Sequence, residues 1–369
     1  MRILALEPYY GGSHKAFLDG WIKHSRHMFS MLTLPAYHWK WRMRHSPMTF
    51  ARQFATDEFK SQTWDMIWCS SMLDLACLTG LCREYIAALP KVVYFHENQF
   101  LYPVQHEDER DIHFALTNMT SALASTEVWF NSEFNRTTML SGIRHLLEGM
   151  PDYSMEPISE MIEKKSWILP PGIDVFQSPA RKSGGPLHIL WIGRWEHDKN
   201  PDDFYQALKL LNARKVDFRL SILGKRYRNT PAVFTRLEDE FAGQLDHFGY
   251  EQTQSGYRSV LRGADVIVST SHHEFFGLAV LEAVASGCRP VLPRRLVYPE
   301  IFDGALFFYD SRADSLADHL ETLAGRLLRG ESLGVDIEQS IPVARRYQWQ
   351  IIGPKLDAAA ERVAQIHGT

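Results

Sequence analysis

The feature that most constrains the fold is a repeated alternation of short apolar runs with helical stretches. The first half contains the runs RILALE (2–7), DMIWCSS (65–71), KVVYFHE (91–97), EVWFNS (127–132) and SWILPPGID (166–174), and the second half contains LHILWIGR (187–194), FRLSILG (218–224) and ADVIVSTS (264–271). Apolar runs that are bounded by turns and separated by helices predict βαβ units and parallel sheets. The pattern restarts after RKSGGP (181–186). The expected fold class is therefore α/β, with two serial Rossmann-like domains that face a cleft.

The restart also sets the expected domain limits. The first domain is predicted to span residues 1–180 and the second residues 181–345. The closing segment, 346–369, has the pattern of an amphipathic helix and is expected to pack back on the first domain. Ligands of open α/β sheets bind beyond the carboxyl ends of the strands. Polar residues that follow the apolar runs are therefore the first candidates for a functional site.

Composition narrows the class of protein. The chain has 369 residues and a formal net charge of −4, which argues against a generally basic nucleic-acid binder but leaves a local basic face open. The four cysteines form no CxxC pair, so reduced thiols in a cytosolic protein are the simplest interpretation. We find neither a signal peptide nor an apolar run that could span a bilayer. A cytoplasmic protein without a membrane partner is expected.

Two cations follow the first apolar run of the second half. In HILWIGRWEHDKNP (188–201), Arg194 comes directly after the run and Lys199 lies five residues further on. At the carboxyl end of a strand, these two cations suit a diphosphate, because the arginine guanidinium can donate two parallel hydrogen bonds and the lysine ammonium is a compact charge. The alternative is a solvated loop in which these cations pair with Glu196 and Asp198. Pro201 fits the first turn of a following helix.

Two glutamates follow the last of these runs. STSHHEFFGLAVLEAVASG (269–287) places Glu274 in a loop and Glu282 inside a predicted helix that begins near Phe276 and Gly277. The glycine permits close approach of a ligand to the backbone, and the helix N-terminus favours a phosphate. Carboxylates bind vicinal diols well, because each oxygen accepts hydrogen bonds. Pairing of the glutamates with arginine or lysine is the alternative, but residues 277–287 have little polar character besides Glu282.

One further stretch combines aromatic and basic residues. YHWKWRMRH (37–45) suits stacking on exposed bases together with contacts to phosphates. The equally weighted alternative is an edge strand with one apolar and one charged face. In that strand Trp39 and Trp41 would be buried, while Lys40, Arg42 and Arg44 would be solvated.

Metal sites find little support in the sequence. The segments HHE (272–274) and HE (96–97) do not form an HExxH motif and have no third potential ligand at a metal-binding spacing. No DxD-type site lies at a strand end. A phosphate can be neutralised by Arg194, Lys199 and a helix end without an ion. No metal and no other cofactor is expected.

Several motifs together point to a family. The stretches EPYYGGSHK (7–15), TLPAYHWKWR (33–42), YFHENQFLYPV (94–104), RWEHDKNP (194–201), HEFFGLAVLEAV (273–284) and LVYPEIF (296–302) resemble the tRNA-queuosine α-mannosyltransferases, which are GT4-like retaining glycosyltransferases of the GT-B fold. The resemblance extends along nearly the whole chain. It implies a transfer of mannose from GDP-mannose to queuosine in tRNA, with retention of configuration.

The resemblance also implies roles for individual residues. Arg194 and Lys199 match the pair that holds the donor diphosphate, Glu282 matches the ribose ligand, and Glu274 matches the ligand of the transferred sugar. Backbone N–H groups for the donor are then expected from Phe276, Gly277 and Leu278. In the first domain, Gly11 and Gly12 match a glycine turn that closes over the phosphates, and His96 matches a histidine that faces the sugar. The implied catalytic set is His96, Arg194, Lys199 and Glu274, and the implied tRNA contacts are Trp39, Lys40, Trp41, Arg42 and Arg44.

Other functions remain open at this point. The nearest is a GT-B glycosyltransferase with another nucleotide-sugar donor, or with a lipid or glycan acceptor. A non-enzymatic RNA-binding protein would need no sugar pocket, and a nucleotide-sugar epimerase of the same fold would release the sugar instead of transferring it. No protein nucleophile is evident. A donor phosphate oxygen is therefore the expected acceptor of the proton.

Overall fold

The chain divides into two compact units of α/β structure. A computed structural model describes residues 1–82, 85–102, 111–153, 155, 157–175, 185–226, 230–302 and 307–366. The first unit comprises Met1–Gly172 together with Trp349–Thr369, and the second comprises Ile173–Gln348. Most of the predicted linker at 181–186 lies outside the described residues. Within the described residues, every helix is too short or too polar to cross a membrane.

The first unit is built on a parallel sheet. Its described strands are β1 (Arg2–Tyr10), β2 (Met28–Pro35), β3 (Met66–Ser70), β4 (Lys91–Phe95), β5 (Glu127–Phe130) and β6 (Ser166–Ile168), in the order β2-β1-β3-β4-β5-β6. The helices between them are α1 (Gly12–His24), α2 (Trp39–Phe54), α3 (Asp57–Lys60), α4 (Leu75–Leu81), α5 (Tyr85–Ala88), α6 (Ile112–Ala124), α7 (Glu133–Glu148) and α8 (Pro157–Glu163). The central strands β3, β4 and β5 are buried along their whole length, as expected for parallel strands covered on both faces.

The second unit repeats this architecture. Its described strands are β7 (Leu187–Ile192), β8 (Phe218–Leu223), β9 (Leu245–Gly249), β10 (Val266–Val268), β11 (Arg289–Pro293) and β12 (Phe308–Tyr309), in the order β12-β11-β10-β7-β8-β9. Its helices are α9 (Pro201–Ala213), α10 (Val233–Glu240), α11 (Gln254–Gly263), α12 (Leu278–Ala285), α13 (Tyr298–Ile301), α14 (Ala313–Leu328) and α15 (Gly334–Arg345). As predicted, Pro201 is the first residue of α9, and Asn200 caps that helix.

Each sheet has a point at which the strand order reverses. In the first sheet the chain runs from β1 to β2 on one side and then continues with β3 on the other side of β1. In the second sheet β7 takes the place of β1, because it has β8 on one side and β10 on the other. Loops at such a point diverge and leave a crevice beyond the carboxyl ends of the strands. The fold therefore singles out the loops after β1 and β3, and the loops after β7 and β10.

The last helix, α16 (Trp349–Gln365), belongs to the first unit. The Asp357 carboxylate is buried there and accepts hydrogen bonds from Trp21 Nε1 at 2.9 Å and from Ser25 Oγ at 2.6 Å. Arg362 donates two hydrogen bonds to the Glu127 carboxylate, at 2.9 and 2.8 Å. Bidentate and buried polar contacts of this kind fix the orientation of a helix as well as its position.

Candidate active site

The loop between β7 and α9 carries the two cations assigned to a diphosphate by the sequence analysis. A short 3₁₀ helix, His197–Lys199, fills most of this loop. The Arg194 side chain is 41% exposed, forms an ion pair with Glu196 and donates to Asp198 Oδ2 at 3.2 Å. Both acids are the ion-pair partners that the alternative interpretation names. Arg194 therefore stands at the reversal point of the sheet in a paired state.

Lys199 has a different environment, because it is buried and joins the loop after β7 to the loop after β10. Its Nζ donates to the backbone oxygen of His273 at 2.8 Å and to Glu274 Oε2 at 3.1 Å, and it lies 3.6 Å from Asp198 Oδ2. Burial raises the pKa of Glu274, but Lys199, His273 and the Gly277 N–H together lower it, so the pKa lies below its ordinary value. The structure thus brings two predicted site residues into direct contact as a charged pair.

The N-terminus of α12 has the geometry for which a glycine is required. Gly277 caps the helix with φ of 80°, and a Cβ at this position would lie 3.1 Å from the Tyr298 ring. Its N–H donates to Glu274 Oε1 at 3.1 Å, so Glu274 occupies the donor that the sequence analysis assigned to the nucleotide sugar. Phe276 is buried beside this turn, and Leu278 is the first residue of the helix.

Glu282 lies inside α12 and binds a tyrosine. Tyr257 Oη donates to Glu282 Oε2 at 2.7 Å. Burial raises the pKa of Glu282 above its ordinary value, although the Tyr257 hydroxyl opposes this shift. Glu282 is therefore neither solvated nor held by a direct lysine or arginine hydrogen bond among the described contacts. A partly buried carboxylate beside a phenol can accept further hydrogen bonds from a polyol.

The glycine turn of the first unit follows β1. Gly11 caps α1 with extended backbone, and a Cβ there would lie 2.4 Å from Ala36 Cβ. Gly12 has φ of 52°, and no described atom lies within 4 Å of the position that a Cβ would take. Gly11 is thus required by its neighbour and Gly12 by its backbone conformation. Both lie at the reversal point of the first sheet, where the sequence analysis expected a ligand.

His96 follows β4 and belongs to a buried cluster that the sequence analysis did not foresee. Its ring lies 4.1 Å from the ring of His14, centre to centre, and its Nε2 has no hydrogen-bond partner among the described residues. His14 Nδ1 lies 3.2 Å from Glu7 Oε2, and His14 Nε2 lies 3.4 Å from Glu97 Oε1. Within the described part of the chain, Glu7, His14 and His96 offer ligand atoms within 4.8 Å of one another, a spacing from which a metal ion could be held.

The aromatic and basic stretch at 37–45 forms the start of a helix, so the edge-strand alternative is wrong. Trp39 packs on Phe114, whereas Trp41 is 60% exposed and Lys40 is exposed. Arg42 is buried and donates to the backbone oxygen of Pro35 at 3.0 Å. The expectation that Arg42 contacts phosphates is therefore corrected, because the helix turns this side chain inward while Trp41 stays exposed. Arg44 remains exposed.

The described contacts add one residue that the motifs did not reveal and one that they named only in the alternative interpretation. Tyr257 binds Glu282 from a different helix, and Asp198 lies between Arg194 and Lys199. Asp198 is adjacent to a predicted cation, so its charge was visible in the sequence but its burial was not. Tyr257 gave no signal, because it comes 25 residues before its partner.

Comparison with known proteins gives matches to both halves of the chain. A family model described as tRNA-queuosine alpha-mannosyltransferase N-terminal matches residues 2–173, and one described as glycosyl transferases group 1 matches residues 174–325. A tRNA-queuosine alpha-mannosyltransferase of Drosophila melanogaster is 38% identical over 324 residues, which cover 85% of this chain and 84% of that protein. The resemblance found in the motifs is thereby confirmed.

Two other proteins extend the comparison. A GDP-mannose-dependent alpha-(1-6)-phosphatidylinositol dimannoside mannosyltransferase of Mycobacterium tuberculosis is 32% identical over 147 residues, which cover 38% of this chain and 37% of that protein. The structure of sucrose-phosphate synthase from Thermosynechococcus elongatus is similar with a TM-score of 0.72 at 12% identity, over 98% of this chain and 99% of the other. At that identity the likeness shows the fold alone. The predicted GT-B fold class is confirmed.

Proposed function

Since the chain belongs to the tRNA-queuosine alpha-mannosyltransferase family, we propose that it transfers mannose from GDP-mannose to the queuosine of a tRNA, with retention of configuration. The chain is a glycosyltransferase of the GT-B fold. GDP-mannose is supported by two relatives that are mannosyltransferases, one of which is described as dependent on GDP-mannose. tRNA and nucleotide sugars meet in the cytoplasm, so the proposal places the reaction there.

One observation carries the assignment of the donor site. Buried Lys199 is bonded to Glu274 beside the N-terminus of α12, at the reversal point of the second sheet. A lysine ammonium has three N–H donors, and two of them are used by described acceptors, the His273 backbone oxygen and Glu274. The third can bind a diphosphate oxygen. A fixed cation at this position stabilises the negative charge that develops as the diphosphate departs.

In the proposed mechanism the acids of this loop exchange partners when the donor binds. Arg194 leaves Glu196 and Asp198 and forms a fork on the diphosphate, for which its partial exposure leaves room. Glu274 accepts from hydroxyls of the transferred sugar, while Lys199 keeps its pKa low and the group ionised. Glu282 accepts from the ribose beside Tyr257. The roles that the resemblance implies for Gly11, Gly12 and His96 remain predictions.

No side chain in this arrangement is assigned as a nucleophile. A phosphate oxygen of the donor takes the proton from the acceptor hydroxyl on the same face of the sugar, which retains the configuration. The protein contributes position and electrostatic stabilisation. Neither a metal nor another cofactor has a part in the proposed mechanism.

We propose fewer tRNA contacts than the resemblance implies, because some of these side chains pack within the first unit. Trp41 and Lys40 present an exposed ring and an exposed ammonium on α2, which suits stacking and a phosphate contact. Trp39 and Arg44 both pack on Phe114, and Arg44 also lies 3.6 Å from Asp111. Of the five residues, Trp41 and Lys40 are therefore the best candidates.

The test is incubation of the protein with tRNA that carries queuosine and with GDP-mannose, GDP-glucose or UDP-glucose, followed by mass spectrometry of the nucleosides. Mannosyl-queuosine from GDP-mannose alone is expected. tRNA without queuosine and the Lys199→Ala variant serve as controls. Transfer from UDP-glucose alone would contradict the donor, and transfer to tRNA that lacks queuosine would contradict the acceptor.

A further inference from the structure

Two aromatic residues at the start of α2 expose large apolar rings to solvent. Tyr37 is 54% exposed and Trp41 is 60% exposed. Single aromatic residues at a protein surface are common and need no explanation by function. These two differ because one buried side chain, Arg42, contacts the Tyr37 ring directly and reaches Trp41 through a single imidazole.

The contacts of Arg42 join the two rings. Its guanidinium carbon lies 4.6 Å from the centre of the Tyr37 ring, which is a cation–π contact. The same guanidinium donates to the backbone oxygen of Pro35 at 3.0 Å and to His45 Nε2 at 2.8 Å. His45 in turn packs on Trp41, with the ring centres 5.1 Å apart. We call Tyr37, Trp41, Arg42 and His45 together the aromatic platform.

Hydrogen bonds at both ring nitrogens fix the orientation of His45. Arginine has no acceptor, so His45 Nε2 accepts from Arg42, and His45 Nδ1 donates to Thr49 Oγ1 at 2.9 Å. Burial lowers the pKa of His45, and the charge of Arg42 adds to this effect. Tyr37 and Trp41 thus each have one side against a fixed group and one side toward solvent. Such preorganisation reduces the entropy that a ligand loses when it binds.

The charge of α2 indicates the chemistry of a partner. No aspartate or glutamate occurs in residues 20–56, although the whole chain has a net charge of −4. The cations of α2 are Lys40, Arg42, Arg44 and Arg52. Among the described contacts, an acid from another element, Asp111, lies 3.6 Å from Arg44. Exposed rings beside an excess of positive charge suit single-stranded nucleotides, whose bases stack and whose phosphates are negative.

The aromatic platform lies beside the glycine turn at the reversal point of the first sheet. Ala36 precedes Tyr37 and approaches Gly11 so closely that a Cβ on Gly11 would lie 2.4 Å from Ala36 Cβ. β2, which leads to the platform, also pairs with β1, which leads to the glycine turn. Nucleotides on the platform are therefore close neighbours of a nucleotide that enters the crevice beyond these strands.

We propose that Tyr37 and Trp41 stack on two bases close to the queuosine of the acceptor, one base on each ring, and that Arg42 is the positioning residue for both rings. This inference rests on the proposed function, and it adds that the enzyme recognises unstacked bases within two nucleotides of queuosine. RNA loops offer unstacked bases to aromatic side chains, whereas a duplex does not. The enzyme then recognises the surroundings of queuosine as well as queuosine itself.

The experiment combines ring removal in the protein with base removal in the substrate. The substrates are an intact tRNA that carries queuosine and four semi-synthetic tRNAs, each with an abasic sugar at the first or second position on either side of queuosine. The proteins are the wild type, Tyr37→Ala, Trp41→Ala and the control Tyr153→Ala, which removes a ring of the same unit that is 85% exposed. The measurements are kcat/KM for mannosyl transfer, the Kd of GDP, and thermal unfolding.

We expect the wild type to lose about 5- to 150-fold in kcat/KM on two of the four abasic tRNAs, as for the loss of one base–aromatic stack. Tyr37→Ala should show a similar loss on intact tRNA and no further loss when one of these two bases is missing. Trp41→Ala should show the same for the other base. Tyr153→Ala should behave as the wild type, and the Kd of GDP and the unfolding temperature should be unchanged in all three variants. Tyr37→Phe should retain the response of the wild type, because stacking needs the ring and not the hydroxyl.

The role of Arg42 has its own readout. Arg42→Lys should weaken the response to both bases at once, because lysine keeps the charge but lacks the planar group that meets Tyr37 and His45. A loss of folded protein alone would lower the activity on all tRNAs by the same factor. An unchanged response to both bases would overturn the positioning role.

Equal activity of the wild type on the intact and the abasic tRNAs would overturn the proposal. So would Tyr37→Ala and Trp41→Ala variants that respond to every missing base as the wild type does, because the two rings would then serve another partner, such as a protein. Absence of transfer by the wild type to intact tRNA would instead contradict the proposed function itself, so the two failures are distinguishable.

Discussion

The two units place different clusters of charged side chains at equivalent points of the same architecture. At the reversal point of the second sheet, Arg194 and Lys199 stand beside the N-terminus of α12. At the reversal point of the first sheet, Glu7 is held by His14 and by Ser70, which ends β3. The topology fixes where a ligand can bind. The side chains on the loops decide which charge that ligand carries.

The difference shows how one fold can serve both substrates of a transfer reaction. Two cations beside a helix N-terminus suit a diphosphate, which can take the place of the acids that pair with them. In the first unit, the carboxylates of Glu7 and Glu97 instead meet the buried imidazole of His14. In the proposed function, the diphosphate of the donor is therefore assigned to the charged side chains of the second unit. The following experiments test this division, from the largest expected effect to the smallest.

The strongest test removes the buried cation of the second unit. Lys199→Ala should lower kcat by about 10²–10³-fold, because it removes a fixed charge that stabilises the departing diphosphate. The measurement is single-turnover transfer with saturating GDP-mannose. Lys209→Ala, which removes an exposed lysine of α9, is the matched control and should have normal turnover. Near-normal turnover of a folded Lys199→Ala variant would contradict the diphosphate assignment.

A second test separates the two glutamates of the donor site. Glu274→Gln should lower kcat and leave the Kd of GDP nearly unchanged, since this carboxylate is assigned to the sugar. Glu282→Gln should weaken GDP and GDP-mannose alike, since it is assigned to the ribose. Losses of about 10- to 100-fold are expected for hydrogen bonds to a charged group.

Titration calorimetry with GDP and GDP-mannose, beside single-turnover rates, measures both effects. The reverse pattern, in which Glu274→Gln abolishes GDP binding and Glu282→Gln does not, would exchange the two assignments. If neither substitution changes binding or rate, both glutamates are structural, and the donor site must be sought elsewhere.

The sequence predicted these positions better than it predicted their contacts. The strands before Arg194 and Glu274 were recognisable, because buried parallel strands are short apolar runs. The bond between Lys199 and Glu274 was not, because 75 residues separate the partners and only the sheet order brings them together. Tyr257 was missed for the same reason.

Local sequence rules also failed at several elements, of which β11 and the stretch at 37–45 show the reasons most clearly. β11 was not among the predicted strands, because its sequence RPVLP contains Pro290, and proline is unusual in a strand that pairs on both sides. In this strand Arg289 is buried and its Nε bonds to Asp336 Oδ2 at 2.6 Å. The stretch at 37–45 alternates like a strand, yet it is helical because Met43, Pro47 and Phe50 form its buried face.

A smaller effect of opposite sign is expected when an acid near Arg194 is neutralised. Glu196→Gln should tighten GDP binding by up to about fivefold, because a partly exposed ion pair is worth at most about 1 kcal/mol and must be broken when Arg194 turns to the diphosphate. Calorimetric titration at low and at high salt measures it, and the gain should diminish at high salt. Asp318→Asn, which alters a surface pair with Arg214, is the control. Weaker GDP binding by Glu196→Gln would show that Glu196 orients Arg194 for the ligand instead of competing with it.

The smallest expected effect is that of chelation. Activity should survive EDTA, because the proposed site neutralises the diphosphate with Arg194, Lys199 and the end of α12. The test also bears on the comparison of the two units, because Glu7, His14 and His96 of the first unit are spaced so that they could hold an ion. The prediction would be wrong if EDTA abolished turnover and Zn²⁺ restored it. If, in addition, His96→Ala prevented the restoration while Lys199→Ala still bound zinc, the first unit would hold a metal site with two histidines and one carboxylate. The comparison of the two units would then set a metal-binding cluster against a diphosphate site, in place of two sites that act without an ion.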